Sequence, residues 1–183
     1  MLDKENPKKQ KNLKKEKDKM NNNIIKLENV SIQFPHLAKT KTQNFDDGTS
    51  SEYYSATFLI KKDDVKKWSK IKEAEREFSY DSLGYETDTL LKDGDEKRID
   101  FLADCFYLNT KSKYKPQVID SEKNVLTEEE IIKKVRRGAK VNAIIQLHKY
   151  NINGKKGISA YILAVQVLDK TFSRKNFDFT SMF

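Results

Sequence analysis

The chain has 183 residues, enough for one domain of about 150 residues with tails to spare. Its formal charge of +8 comes from 36 basic and 28 acidic side chains, with lysine outnumbering arginine 31 to 5; this favours an anionic partner held by flexible point charges over one read by rigid bidentate contacts. Cys105 is the single cysteine, which excludes an intrachain disulfide and a cysteine-based zinc cluster, and the absence of an apolar run long enough for a membrane span or leader gives the expectation of a cytoplasmic protein with no membrane contact.

In chain order, residues 1–23 are expected to form a disordered basic tail. Residues 1–20 hold eight lysines against Asp3, Glu5, Glu16 and Asp18, so +4 of the total +8 lies there. Leu2, Leu13 and Met20 are too few apolar residues to offset the entropy of ordering such a segment. From Ile24 to Phe34 ("IIKLENVSIQF") β-branched residues and partial alternation predict a strand that Pro35 ends. An Asp47-Gly48 turn signal follows, then "YSATFLI" (Tyr54 to Ile60), in which Tyr54, Ala56, Phe58 and Ile60 share one face of a second strand.

Asp63 or Asp64 offers a helix N-cap, and Val65, Trp68, Ile71, Ala74 and Phe78 recur at three- or four-residue intervals as the apolar stripe of the main helix. After a long loop containing "DGDEKR" comes "FYLNTKSKYKPQVID" (Phe106 to Asp120). Its alternation puts Phe106 and Leu108 on a core face and Tyr107, Asn109 and Lys111 on the other, with Lys113, Tyr114 and Lys115 continuing a basic strip. Thr127 and Glu130 form a capping box for a short second helix through Val135. "KVNAIIQLHKYN" (Lys140 to Asn151) and "GISAYILAVQVLDK" (Gly157 to Lys170) flank Asn153-Gly154 and predict a long hairpin. Its first strand turns Val141, Ala143, Ile145 and Leu147 to one face and Lys140, His148 and Tyr150 to the other.

About five or six strands with one main helix and a short second one suit a mainly β chain, a small, partly open antiparallel barrel of the OB type over residues 24–171, followed by a flexible tail, 172–183, that ends in Phe183. Such barrels hold single strands by pairing lysines along the backbone with aromatic rings under the bases. The candidate contacts are therefore Tyr107, Asn109, Lys111, Lys113, Tyr114, Lys115, Lys140, His148 and Tyr150, with Tyr53 and Phe34 at strand ends. No metal or other cofactor is expected. His36 and His148 lack zinc-ligand spacing, "NGKKG" lacks the first glycine and the Ser/Thr of a P-loop, and no serine sits in a GxSxG elbow. Asp93, Asp95 and Glu96 with Lys97 are the sole enzymatic hint, a carboxylate-and-lysine pattern open to a magnesium-dependent nuclease or to ordinary turn chemistry. An RNA-binding OB module stays open as well, because stacking and phosphate contacts suit both polymers.

The segments "FPHL" (Phe34 to Leu37), "YSATFLIKK" (Tyr54 to Lys62), "LKDGDE" (Leu91 to Glu96), "YLNTKSKYKPQVID" (Tyr107 to Asp120), "GAKVNA" (Gly138 to Ala143) and "KGISAYILAVQ" (Lys156 to Gln166) together resemble, in order and over nearly all of residues 30–170, the phage-encoded single-stranded DNA-binding proteins with an OB fold, long a family of unknown function. The resemblance implies non-enzymatic binding of single-stranded DNA in phage replication or recombination, within the host cytoplasm. It also implies that the Asp93, Asp95, Glu96 cluster is a recurring turn. Asn109, Ser112, Lys113 and Pro116 match the family pattern, while Tyr114 and Lys115 fill positions where other members commonly carry basic residues. Proteins of this function often end in an acidic tail with a terminal aromatic that recruits phage or host replication proteins; "SRKNFDFTSMF" keeps Phe183 but has Asp178 as its single acidic side chain. Nothing in the sequence decides between monomer and dimer.

Overall fold

The structure is a computed structural model that describes residues 23–80, 89–152 and 155–168. Residues 1–22 of the expected basic tail and all of 172–183 lie outside the described residues, as does the Asn153-Gly154 turn; Asn23 is described, and its carbonyl accepts the Leu147 amide at 2.7 Å. Among the described residues, seven strands form one continuous sheet. They are β1 (Ile24–Asn44), β2 (Ser50–Lys61), β3 (Leu91–Asp93), β4 (Cys105–Ser112), β5 (Gln117–Ile119), β6 (Lys140–Ile152) and β7 (Lys155–Val167), with helix α1 (Val65–Tyr80) after β2 and α2 (Glu128–Lys134) after β5.

β1 is the organising strand because it is long enough to pair on both sides. Its first half runs antiparallel to β6, with Ile25 opposite Ile145, and its second half antiparallel to β2, with Ile32 opposite Phe58. The sequence predicted an end at Pro35, yet the strand continues to Asn44. A register shift between Gln33 and His36 takes Phe34 and Pro35 out of the ladder, so the proline's missing N–H breaks no pairing, and Phe34 adopts φ 47°. β2 pairs with β4, β6 with β7, and a single parallel pair, Thr110 with Ala160, joins β4 to β7. The circuit β1-β2-β4-β7-β6 is therefore a closed five-stranded OB barrel, tighter than the partly open one expected.

The barrel interior follows from period-two alternation. Ile25, Leu27, Val30 and Ile32 of β1 meet Ala56, Phe58 and Ile60 of β2, Leu108 of β4, Val141, Ala143, Ile145 and Leu147 of β6, and Ile158, Ala160 and Ile162 of β7, all buried in one cluster. α1 adds Ile71 with Trp68, Ala74 and Phe78, and Trp68 Nε1 donates to the Lys62 carbonyl at 3.0 Å. α2 adds Ile131 behind the expected Thr127–Glu130 capping box.

Candidate nucleic-acid interface

The outer face of β1, β2 and β4 is where candidate side chains converge. The inward set on β2 leaves Tyr53, Ser55, Thr57 and Leu59 pointing outward. Register places Gln33 beside Thr57 and Thr57 beside Asn109, then His36, Ser55 and Lys111 in the next row, then Lys41 with Tyr53. Thr57 Oγ1 donates to Asn109 Oδ1 at 2.7 Å, which fixes the middle of the face. Lys111 Nζ donates to Gln43 Oε1 at 3.1 Å and stands 4.5 Å from the Tyr53 ring centroid. One end of the face thus presents a cation held over an aromatic ring.

At the other end stand Phe34, Phe101 and Arg137. The two phenyl rings meet edge to face with centroids 5.7 Å apart, and the Arg137 guanidinium lies 4.1 Å from the Phe101 centroid and 5.4 Å from that of Phe34. Arg137 Nε donates to Gln33 Oε1 at 2.8 Å. Phe101 comes from a 310 turn, Asp100–Leu102, that packs on Leu59 and Tyr107.

Four of the residues expected to contact a strand, Phe34, Tyr53, Asn109 and Lys111, are gathered on this face. Tyr107 is on it too but is only 7% exposed. It was expected to offer its ring to bases; Leu102, with Phe101 packed alongside, covers it instead, so its role is packing. β4 ends at Ser112, so the basic strip does not continue as strand. Ser112 Oγ closes a turn by accepting from the Tyr114 amide, which leaves Tyr114 82% exposed next to exposed Lys113. Lys115 is ion-paired with Glu128, which holds the lysine above and the glutamate below their ordinary ranges.

His148 and Tyr150 occupy a different wall, on β6, whereas Lys140 at the start of that strand pairs with Ser31, itself opposite Leu59, and so continues the outward row across β1. Lys140 lines a shallow recess with Lys61, Asp63, Asp64 and Lys67. His148 stacks on Tyr161 with centroids 4.0 Å apart, and the Tyr150 ring lies where a Cβ at its cross-strand partner Gly157 would sit. The Thr110–Ala160 seam adjoins the two walls, because the outward neighbours of that buried pair are Asn109 and Lys111 on β4 and Ser159 and Tyr161 on β7.

The model of the family described as Enterobacter phage Enc34, ssDNA-binding protein, matches residues 23–172. The chain belongs to this family. A curated relative, putative protein p50 of Acyrthosiphon pisum secondary endosymbiont phage 1, is 32% identical over 158 residues, 78% of this chain and 81% of that protein. The single-stranded DNA-binding protein of bacteriophage Enc34 in complex with ssDNA superposes with a TM-score of 0.69 at 24% identity, covering 82% of this chain and 89% of that one. Its C-terminal truncation gives 0.71 at 25% identity over 81% and 87% of the two chains. The single-stranded DNA-binding protein gp2.5 of bacteriophage T7 shares the fold, with a TM-score of 0.57 at 13% identity over 87% of this chain and 94% of that one.

These phage proteins are binding proteins and not enzymes, and the carboxylate cluster of this family member is built as a turn. Lys62 Nζ bridges Asp93 at 2.7 Å and Asp95 at 2.6 Å. Asp93 Oδ1 accepts the Asp95 amide and Asp95 Oδ1 accepts the Asp104 amide. The lysine hydrogen bond, first, and these amides hold both carboxyls below the usual aspartate range. Gly94 between them is required by close approach, since a Cβ there would lie 2.1 Å from the Leu102 carbonyl oxygen. The cation that engages the pair is Lys62, not the Lys97 of the nuclease alternative, and among the described residues no three acidic, histidine or cysteine side chains are grouped to hold a metal. Cys105 is buried, which pushes its thiol up, in line with a packing role.

Sequence reasoning missed Gln33, Thr57, Phe101, Arg137 and Tyr161. Phe101 read as part of a long loop, and Arg137 as lying just past the end of a short helix. The available signal was that Arg137 is one of five arginines among 36 basic residues, since arginine is the cation that stacks on rings.

Proposed function

We propose that this chain binds single-stranded DNA with little sequence preference, in support of phage DNA replication or recombination. The observation that carries the reading is the outer face of β1, β2 and β4, where Phe34 and Tyr53 stand at opposite ends with Asn109 and Lys111 between them. Rings on such a face stack unpaired bases at about 1 to 3 kcal/mol each, and lysines neutralise phosphates. Lys113 and Tyr114 extend the face at the turn after β4, Lys115 joins once it leaves Glu128, Lys140 extends the face across β1, and His148 and Tyr150 serve a strand that crosses the β4–β7 seam. Membership of a family of phage ssDNA-binding proteins supports the choice of polymer.

The test is competitive titration of the full chain with an oligothymidine strand, the matching RNA and a duplex. Oligothymidine is expected to bind tightest, and the logarithm of its affinity to fall by about 0.7 per log unit of salt for each phosphate neutralised. Tighter RNA binding would move the assignment to an RNA module; equal or tighter duplex binding would remove the stacking reading altogether.

A further inference from the structure

The geometry points to a prebuilt stacking station for one unpaired base, made by the Arg137 guanidinium on Phe101 and the ring of Phe34, with Arg137 acting as platform as well as charge. The inference rests on the reading above and names a site within it.

Several observations converge on Arg137. It is exposed, as an ordinary surface arginine is, but its plane is fixed. The Phe101 ring lies under it at 4.1 Å, and its Nε is tied to Gln33 Oε1, a side chain only 5% exposed and so unable to wander. The backbone holds the arginine from behind, because the Gly138 amide donates to the Ile32 carbonyl at 2.7 Å and the Ile32 amide to the Ala139 carbonyl at 3.0 Å. A guanidinium fixed by both ring and amide has lost its rotamer freedom before any ligand arrives, which lowers the cost of ordering it on binding.

Phe34 adds a second argument. It is 52% exposed, and its backbone sits at φ 47°, the left-handed region that a residue with a Cβ rarely adopts. Such strain persists where the surroundings impose it, and it concentrates at ligand sites. Burial cannot be what the strain achieves, since half of the ring stays in water. What it does achieve is to set the ring edge-on to Phe101 beside the guanidinium, on a face whose next row, Thr57 and Asn109, is already locked by a hydrogen bond. Bases stack on arginine planes as well as on aromatic rings, and a base laid on Arg137 would leave its phosphates directed along the face toward Lys111.

The chemistry separates platform from charge. Arg137→Lys keeps the positive charge and loses the plane, and Phe34→Leu keeps apolar bulk and loses the ring. Titrate parent, R137K and F34L with oligothymidine and with a strand of the same length built only of abasic deoxyribose phosphates. The station predicts that R137K and F34L each bind oligothymidine about tenfold more weakly, the equivalent of one stack. It also predicts an unchanged salt slope and abasic binding equal to that of the parent. Unaltered oligothymidine affinity in both variants overturns it. An equal loss on the abasic strand also overturns it, because Arg137 would then be a phosphate contact or a support for the fold. Failure of the parent itself to prefer oligothymidine would instead strike the proposed function, so the two failures are distinguishable.

Discussion

Tyr107 and Tyr53 show how much a single residue's partners decide. Both point outward from neighbouring strands, and both are tyrosines in an alternating run. Tyr107 is covered by Leu102 and packs with Leu59, whereas Tyr53 is half-buried with Lys111 over its ring. Tyr107→Ala is therefore expected to cost about 3 kcal/mol of stability, in the range of large-to-small core changes, with binding of the folded protein nearly intact. Tyr53→Ala is expected to leave the melting temperature close to that of the parent and to weaken oligothymidine binding about tenfold. Thermal melts and titrations on the two variants check both, and the reverse pattern would refute the placement. Tyr53 was expected at a strand end, and alternation put Tyr107 on the correct side of its strand. It could not show what lies over that side, because the cover on Tyr107 is a 310 turn from the preceding loop, and no period in the sequence announces such a turn.

Elements with local signals were legible and those made by distant pairing were not. The apolar stripe of α1 from Trp68 to Phe78, the capping box of α2 and the core face of β6 all follow from spacing within a dozen residues and all are observed, whereas Val65, expected to begin the stripe, is 55% exposed. The continuation of β1 beyond Pro35 depends on a bulge that only the partner strand β2 stabilises. The loop before β4 reads as polar turn chemistry, yet it is organised by Lys62 from the end of β2. That network has a pH signature. Asp93 and Asp95 are lowered from 3.8, so their contribution is present above that value and lost as pH falls through the depressed folded values. Lys62 is raised from 10.5, so its contribution is present below that value and lost as pH rises further. Lys62→Met keeps an unbranched stem and removes the ammonium, which also stands 5.4 Å from the Phe106 ring centroid. The variant should melt below the parent across the range between those values, and the gap should narrow as pH is lowered to about 3. A gap that does not change with pH would mean that Lys62 acts through packing alone.

For the whole molecule, closure of the barrel and distribution of charge are separate matters. Closure rests on one parallel pair, Thr110 with Ala160, and on β1 serving two partners, neither of which leaves a mark in local sequence. Thr110 Oγ1 donates to the Ala56 carbonyl at 2.8 Å, so a buried hydroxyl at the seam is satisfied within the same barrel. Charge is divided differently: residues 1–22 contain eight lysines and four acidic residues, +4 of the +8, while among the described residues the barrel core spans Ile25 to Val167. Because residues 1–22 carry few sizeable apolar side chains, Leu2, Leu13 and Met20 among them, deleting them is expected to leave the unfolding midpoint unchanged. Counterion release is additive over neutralised phosphates, so if the lysines of that segment meet DNA, the deletion should flatten the plot of log affinity against log salt. Affinities of the two forms should differ most at low salt and converge as salt rises, because screening removes exposed charges first. Parallel lines with a constant offset would show a contribution that is not electrostatic, and superimposed lines would confine binding to the barrel face and its stacking residues.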